Sequence, residues 1–279
     1  MMPQIQIHQI FYNDATRAQL DAGFIPLDNS NGRADWYEFG AIRDFLHANS
    51  LDEQVYYGFF SPKFNDKTGL TSTQWLEFIR ANYRADVDAF VVSPVWSHTA
   101  FFRNVFEQGE FFHNGLWAAA TEFFSRAQVA VDLNQLITHS QNTAFANYIV
   151  AKPTFWRQWL ILADALFAIA EAGADEYAQK LSHLVYYGGR AEVPMKVFLQ
   201  ERFATTLIAT QAFKVVTFDT CYGPDCLDLV RNNDYFRADL LACDAFKIAY
   251  TQSSQPTFLR AYEKRREAIE LDFRQMYER

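Results

Sequence analysis

Three stretches hold residues whose types and spacing suit them to chemistry. Asp86-Val-Asp88 sets two carboxylates one residue apart, so both project to the same side of an extended strand. Such a pair can hold a divalent cation, manganese or magnesium, that bridges a diphosphate. It reads more readily as the solvated start of a strand, because an open-sheet site lies at the carboxyl end. Phe106-Glu-Gln-Gly-Glu-Phe-Phe-His-Asn-Gly115 packs Glu107, Glu110 and His113 between bulky aromatics. Aromatic faces stack on sugar rings while polar groups bind hydroxyls, and Glu or His can act as a general base. The same residues also read as an amphipathic helix that stops at Asn114-Gly115. The third stretch, Pro194-Met-Lys-Val-Phe-Leu-Gln-Glu-Arg-Phe203, buries Met195, Phe198, Leu199 and Phe203 as one stripe. Glu201 and Arg202 are consecutive, about 100° apart on a helix, so one of them can aim inward at a pocket.

These groups need a scaffold, and the clearest element is Val55 to Phe60, an apolar run long enough for a buried strand. It breaks at Ser61-Pro62, because proline lacks the donor a central strand requires. Lys63, Asn65, Asp66 and Lys67 follow, and Gly69 closes the turn. In open α/β sheets, ligands bind beyond the carboxyl ends of the strands. A buried strand ending in Ser61-Pro62-Lys63 therefore reads as the floor and rim of a site, or as an ordinary strand-to-helix loop.

Around it, Ile5 to Tyr12 reads as a first strand, with Asp14 capping a short helix. Asp21 to Gly32 reads as a loop with an apolar island, Phe24 to Leu27. Asp35 to His47 reads as a helix with Glu38 completing a capping box. Ser72 is expected to cap a helix to about Tyr83, and Asp86 to Pro94 is a strand that again stops at Ser-Pro. Helices follow over Phe101 to Phe112, Leu116 to Phe124, Pro153 to Ala172, Tyr177 to Val185 and Pro194 to about Gln211. Ala144 to Val150 and Lys214 to Phe218 are short strands, Tyr186 to Gly189 is a breaker, and Pro256 to Glu278 is a charged final helix with Phe258, Leu259, Tyr262, Ile269 and Phe273 inward. The expected fold is α/β: a Rossmann-like, mostly parallel sheet with helices on both faces and a helix-rich C-terminal half. No Gly-, Pro- or Ser-rich linker divides the chain. Residues 1–95 read as the nucleotide-binding part, 96–212 as the acceptor and catalytic part, and 213–279 as a helical extension.

Composition narrows the function. Half of the 279 residues are hydrophobic and 17% aromatic, enough for a large core, and the net charge of -8 disfavours a broad nucleic-acid surface. Cys221, Cys226 and Cys243 are too few for a disulfide scaffold. Cys221 and Cys226 resemble half of a metal clip without its second pair. The N-terminal residues lack the pattern of a signal peptide, and no run is long enough for a membrane span. The expected location is cytoplasmic. GxGxxG, P-loop, GxSxG and HExxH signatures are absent, which argues against the commonest dehydrogenases, NTPases, hydrolases and zinc proteases.

The chain resembles a bacterial glycosyltransferase-type family from capsule and lipopolysaccharide gene neighbourhoods. The matching blocks are Ile7-His-Gln-Ile-Phe-Tyr12, Phe24-Ile-Pro-Leu-Asp-Asn29, Tyr56-Tyr-Gly-Phe-Phe-Ser-Pro-Lys-Phe64 with Lys67-Thr-Gly-Leu70, Phe106-Glu-Gln-Gly-Glu110, and Pro194-Met-Lys-Val-Phe198 with Glu201-Arg202. They cover roughly residues 5–205. A looser similarity links Tyr57 to Lys63, Asn147 to Val150 and Glu201 to Phe203 with capsule glycosyltransferases, although Ser61-Pro62-Lys63 replaces their His-Tyr-Arg run. The resemblance implies a GT-A-like fold and transfer of a sugar from a nucleotide-sugar donor to a glycan or lipid-linked glycan acceptor. A lipid-linked acceptor would bring the enzyme to the inner face of the membrane. With it, Tyr12, Asn13, Asp28 and Asn29 are expected to hold the nucleoside. Lys63, with Lys67 and Arg43, would neutralise the diphosphate, and Ser61 and Arg202 are further donor-binding candidates. Glu107, Glu110, His113 or Glu201 would deprotonate the acceptor, with or without a metal at Asp86 and Asp88. The rival expectation is a non-catalytic glycan- or partner-binding module on the same fold.

Overall fold

Strand Val55–Phe60 (β3) is buried along its whole length and lies near the middle of the sheet. The structure, a computed structural model, describes residues 3–173, 175–187, 191–221, 230, 232–275 and 277. Its main sheet has six strands in the order β2-β1-β3-β5-β4-β8. The others are Gln4–Phe11 (β1), Ile25–Asp28 (β2), Ala89–Val92 (β4), Ile149–Ala151 (β5) and Val215–Phe218 (β8). Five run parallel, and β5 lies antiparallel between β3 and β4. The fold is thus α/β with a mostly parallel mixed sheet, as expected. The apolar island at Phe24 to Leu27 is not a loop: Ile25–Asp28 pairs with β1 as an edge strand, His8 opposite Ile25 and Phe11 opposite Asp28. Its exposed pattern hid it, since an edge strand beside solvent carries little apolar periodicity.

Strand alternation sends side chains into two cores. On one face, Val55, Tyr57 and Phe59 of β3 join Ile149 and Val91 under helices Tyr37–Ala48 (α2) and Pro153–Ala172 (α8). Pro153 opens α8 where proline is pre-organised for the first turn. On the other face, Tyr56, Phe60 and Val150 pack under Phe64, Trp75 and Ile79. The Phe60 and Phe64 rings stack at 4.6 Å. Each such ring taken fully from water contributes about 1.5–3 kcal/mol, so the loop after β3 is held down by Phe64, the first residue of the short helix that follows it. Gly58 is required where β3 meets β5: a Cβ there would lie 2.9 Å from Val150 Cγ2 and 3.1 Å from the Ile149 carbonyl.

A third, helical core joins Trp96–Phe101 (α5) to Asp234–Ser253 (α12) and Pro256–Gln275 (α13). Of the expected inward residues of α13, Tyr262, Ile269 and Phe273 are buried, and Phe258 and Leu259 are partly exposed. Lys247 is buried here and donates to the carbonyls of Thr99 and Phe102, which closes the C-terminal end of α5. Leu184–Tyr187 (β6) and Ala191–Pro194 (β7) form a separate antiparallel hairpin. The expected breaker therefore begins within a strand, and Gly188 and Gly189 lie outside the described residues, as does Cys226. Cys221 and Cys243 are buried.

His8 on β1 is enclosed by Phe45 and Phe59, with ring centroids 4.5 and 5.5 Å away. Its Nε2 is buried without a partner. Burial lowers its pKa to about 4 from 6.5. Between about pH 6.5 and 4 the unfolded chain therefore binds a proton that the folded chain refuses. Stability is complete above that window and falls as the pH drops through it. We expect the urea midpoint to decline below pH 6.5. His8→Leu should lessen the decline without abolishing it, because burial also holds His98 and His139 at about 3. Equal acid sensitivity in both proteins would contradict this account.

Candidate functional site

The chain leaves β1 toward β2 on one side and returns to β3 on the other. This reversal makes a topological switch point beyond the carboxyl ends of β1 and β3, the crevice position where open α/β sheets bind ligands. Tyr12 follows β1 directly, Ser61 follows β3, and the short helix Phe64–Thr68 (α3) carries Lys67 over the same edge. The start of α2 brings Glu38 there. The Tyr12 hydroxyl is buried against it, and burial together with the Glu38 charge raises the phenol far above its ordinary range.

Glu201 reaches this group from the other half of the chain. The helix expected from Pro194 to Gln211 is broken into Met195–Gln200 (α10) and Phe203–Thr210 (α11), and Glu201-Arg202 is the break. The two side chains diverge. The Arg202 guanidinium turns into the core, donating from Nε to the Val105 carbonyl at 2.7 Å, from Nη2 to Gln108 Oε1 at 2.7 Å, and from Nη1 to the Phe198 carbonyl. Burial lowers its pKa to about 10. It is a structural clasp and does not reach a diphosphate, contrary to the expectation for it. Glu201 points the other way, densely surrounded by protein yet touching solvent. Burial raises its pKa; the charges of Arg202 and Lys67 oppose the rise and that of Glu38 adds to it. The charges of Lys67 and Glu38 thus both act on Glu201, and that of Glu38 acts on Tyr12.

Backbone strain gathers at the same edge of the sheet. Tyr37 at φ 45°, Val95 at 61°, Ala146 at 58° and Asn147 at 55° are non-glycine residues in the left-handed region. Tyr37 follows β2, Val95 follows β4, and Ala146 and Asn147 precede antiparallel β5, so these four lie at the carboxyl edge, while Gln128 and Ser254, also left-handed, lie elsewhere. A β-branched residue there is an outlier, and such strain collects at functional sites. The side chains support it: Asn29 Nδ2 donates to the Tyr37 carbonyl at 3.2 Å, and Ser93 Oγ accepts from Phe145 N at 3.0 Å. Ser61 Oγ lies 2.7 Å from the Tyr148 hydroxyl.

The remaining expected residues separate into two groups. Asp28 and Asn29 lie at this edge; Asp28 is exposed and its carboxylate accepts from Ser30 N at 2.8 Å. Lys63 is exposed beside it, and neither Lys63 nor Lys67 has an ion-pair partner among the described residues. Asn13 caps the first short helix by accepting from Thr16 N at 2.9 Å. The others are engaged elsewhere. Arg43 lies along α2, paired with Asp164 at 2.7 Å and stacked on Phe167. Glu107 accepts from Arg103 N at 2.6 Å and pairs with Arg266 at 2.8 Å, tying helix Val105–Phe112 (α6) to α13. Glu110 accepts from Gly115 N and Trp117 N, capping helix Leu116–Arg126 (α7). His113 stacks on Phe198 at 3.6 Å and is buried. The aromatic and acidic block is therefore helix capping and packing, the plainer of its two readings.

Asp86 and Asp88 stand at the amino end of β4, the opposite edge of the sheet. Asp86 pairs with Lys214 at 3.0 Å, and Asp88 pairs with Lys152 at 3.0 Å and accepts from Lys214 N at 2.9 Å. Two carboxylates so engaged, and so far from the crevice, do not fit a cation bridging a diphosphate there. Among the described residues no three His, Cys, Asp or Glu side chains converge as a metal-binding group.

Comparison of the chain with protein-family models, with curated protein sequences and with solved structures returned no match. Among the described residues no helix is long and apolar enough to cross a membrane. The weight therefore rests on the geometry. Sequence reasoning missed Glu38, which was assigned to a capping box with Asp35. In the structure Asp35 is in a 3-10 turn, bound to Arg33 and to buried Lys196 at 2.5 Å. Helix α2 starts two residues later and Glu38 is released to the crevice. Its position in the first turn after a parallel strand was the signal, since that turn always lies at the carboxyl edge.

Proposed function

We propose that the crevice is the donor site of a glycosyltransferase, with Glu201 as general base and Lys67, assisted by Lys63, facing the leaving diphosphate. The observation that carries this reading is Glu201 itself. It is a carboxylate with no hydrogen-bond or ion-pair partner among the described residues, held at a helix break where the sheet topology opens. A carboxylate whose pKa is raised accepts a proton more readily in the transition state. In the proposed step the acceptor hydroxyl gives its proton to Glu201 as its oxygen bonds to the anomeric carbon. The bond from that carbon to the diphosphate breaks, and the electron pair leaves with the nucleoside diphosphate. Fixed positive charge at Lys67 and Lys63 stabilises the negative charge as it develops there. Tyr12, Asp28 and Asn29 lie where the nucleoside would rest. The block resemblance supports the same chemistry and points to bacterial surface polysaccharide as the product, built at the cytoplasmic face.

A thermal-shift panel of nucleoside diphosphates and nucleotide sugars, with manganese or with EDTA, tests it. At ligand near 100 times Kd the native state gains about 2.7 kcal/mol, or roughly 5 °C or more for a chain of this size. One nucleotide should raise Tm by that order, and Lys67→Ala should remove most of the shift. If no nucleotide moves Tm, the donor site does not exist and a glycan- or partner-binding module takes its place.

A further inference from the structure

A second cavity, of about 300 Å³, opens at the carboxyl ends of β4 and β8, and no part of the proposed transfer step uses it. Its walls come from three separate parts of the chain: the strained turn after β4, the segment around Ser140 and Gln141, and Thr217 to Thr220 against helix α12. We infer that this cavity is a binding site for one neutral sugar residue of a glycan.

The argument begins with charge. Asp219 and Asp244 both line the cavity, and among the described residues no Lys or Arg does. It therefore disfavours phosphates, in contrast to the crevice under Lys67. Its volume is at the lower limit for small-molecule pockets, too little for a nucleotide sugar and suited to one pyranose ring. The lining supplies what a ring with hydroxyls needs. Trp96, Phe218 and Leu241 give apolar surface, against which the C–H face of a sugar packs. Asp219, Asp244, Thr217 and Gln141 give hydrogen-bonding groups around it.

Those groups are held in place. Asp244 is buried and accepts from Ser140 N at 2.9 Å and from Ser140 Oγ at 2.5 Å. Thr220 Oγ1 donates to the Ser93 carbonyl at 2.7 Å, and Asp219 accepts from Cys221 N at 2.9 Å. Each carboxylate keeps lone pairs beyond these bonds. Thr99 adds a buried hydroxyl with no hydrogen-bond partner among the described residues. Fixed acceptors around an apolar wall bind sugar hydroxyls with little ordering cost. Val95, at φ 61°, lies in the turn that carries Trp96, so the strained backbone sits directly beside this wall.

Saturation-transfer NMR on the full chain with a panel of neutral methyl glycosides is the test, with inorganic phosphate and calcium as competitors. At least one glycoside should receive saturation. Thr217→Val and Asp219→Asn, which alter the partly exposed rim, should each weaken it about tenfold with Tm unchanged, and phosphate should not compete. The inference is overturned if no glycoside receives saturation, or if its affinity is the same in both variants. It is also overturned if calcium displaces the glycoside by binding Asp219 and Asp244 itself. Nucleotide binding at the crevice is read separately by thermal shift, so either site can fail without the other.

Discussion

Glu201→Gln lowers sugar transfer about 10²–10⁴-fold, the range for loss of a general base, and at the same time raises Tm at pH 7–8. The second effect separates a catalytic carboxylate from a structural one. Burial favours the protonated form of Glu201 and lifts its folded-state pKa above the unfolded value. The stability associated with this group is therefore complete below the unfolded pKa near 4.5 and is lost as pH rises through the raised folded value. Glutamine keeps the shape without the charge, so its advantage should be present at pH 7–8 and vanish as pH approaches 4. Functional sites commonly hold groups that the fold alone would not choose. Melting curves of both proteins at pH 4, 6 and 8, with rates on the donor found by thermal shift, check both effects. A Glu201→Gln protein less stable than wild type at pH 8 would make Glu201 a structural residue.

Arg202→Met should have the opposite profile, a large loss of stability of about 3–5 kcal/mol, the usual result of removing one partner of a buried charged network. The guanidinium satisfies Val105 and Phe198 carbonyls and Gln108 Oε1 in one plane. Methionine fills the volume but leaves all three acceptors buried. Lysine retains charge without the fork, so Arg202→Lys should recover only part of the loss. Gly109 is part of the same device: a Cβ there would lie 2.6 Å from Arg202 Nη2 and 2.0 Å from Leu116 Cδ2. The clasp thus explains why α6 carries a glycine in mid-helix, where propensity argues against it. Urea unfolding measures the loss directly, and a change below about 1 kcal/mol would show that the clasp contributes little.

These two neighbours show why adjacent residues can be called to opposite tasks. A continuous helix from Pro194 would have placed Glu201 and Arg202 on flanking faces of one rod. The break lets one side chain enter the α6 core and leaves the other at the sheet edge. No local signal announces that break, because Leu199 to Ala204 contains neither glycine nor proline. The break accompanies tertiary packing: α10 and α11 both rest on α8, but α10 also packs against α7 and the helix Glu176–Ser182.

Much of the scaffold was legible because it is written in local terms. The continuous apolar run of Val55 to Phe60, its stop at Ser61-Pro62, the proline start of α8 and the inward residues of α13 each follow from periodicity and turn chemistry within one segment. So did the position of Ser61 and Lys67 at a strand end, since a parallel sheet puts every such end on one edge. The sequence by itself therefore determined an α/β chain with a polar rim after β3. Only the tertiary structure decided which charged residues face that rim. Asp86 and Asp88 found Lys214 and Lys152, Glu107 found Arg266 from 159 residues away, and Glu38 and Glu201 were left together. Charge pairing depends on which distant segments become neighbours, and a one-dimensional pattern carries no record of that.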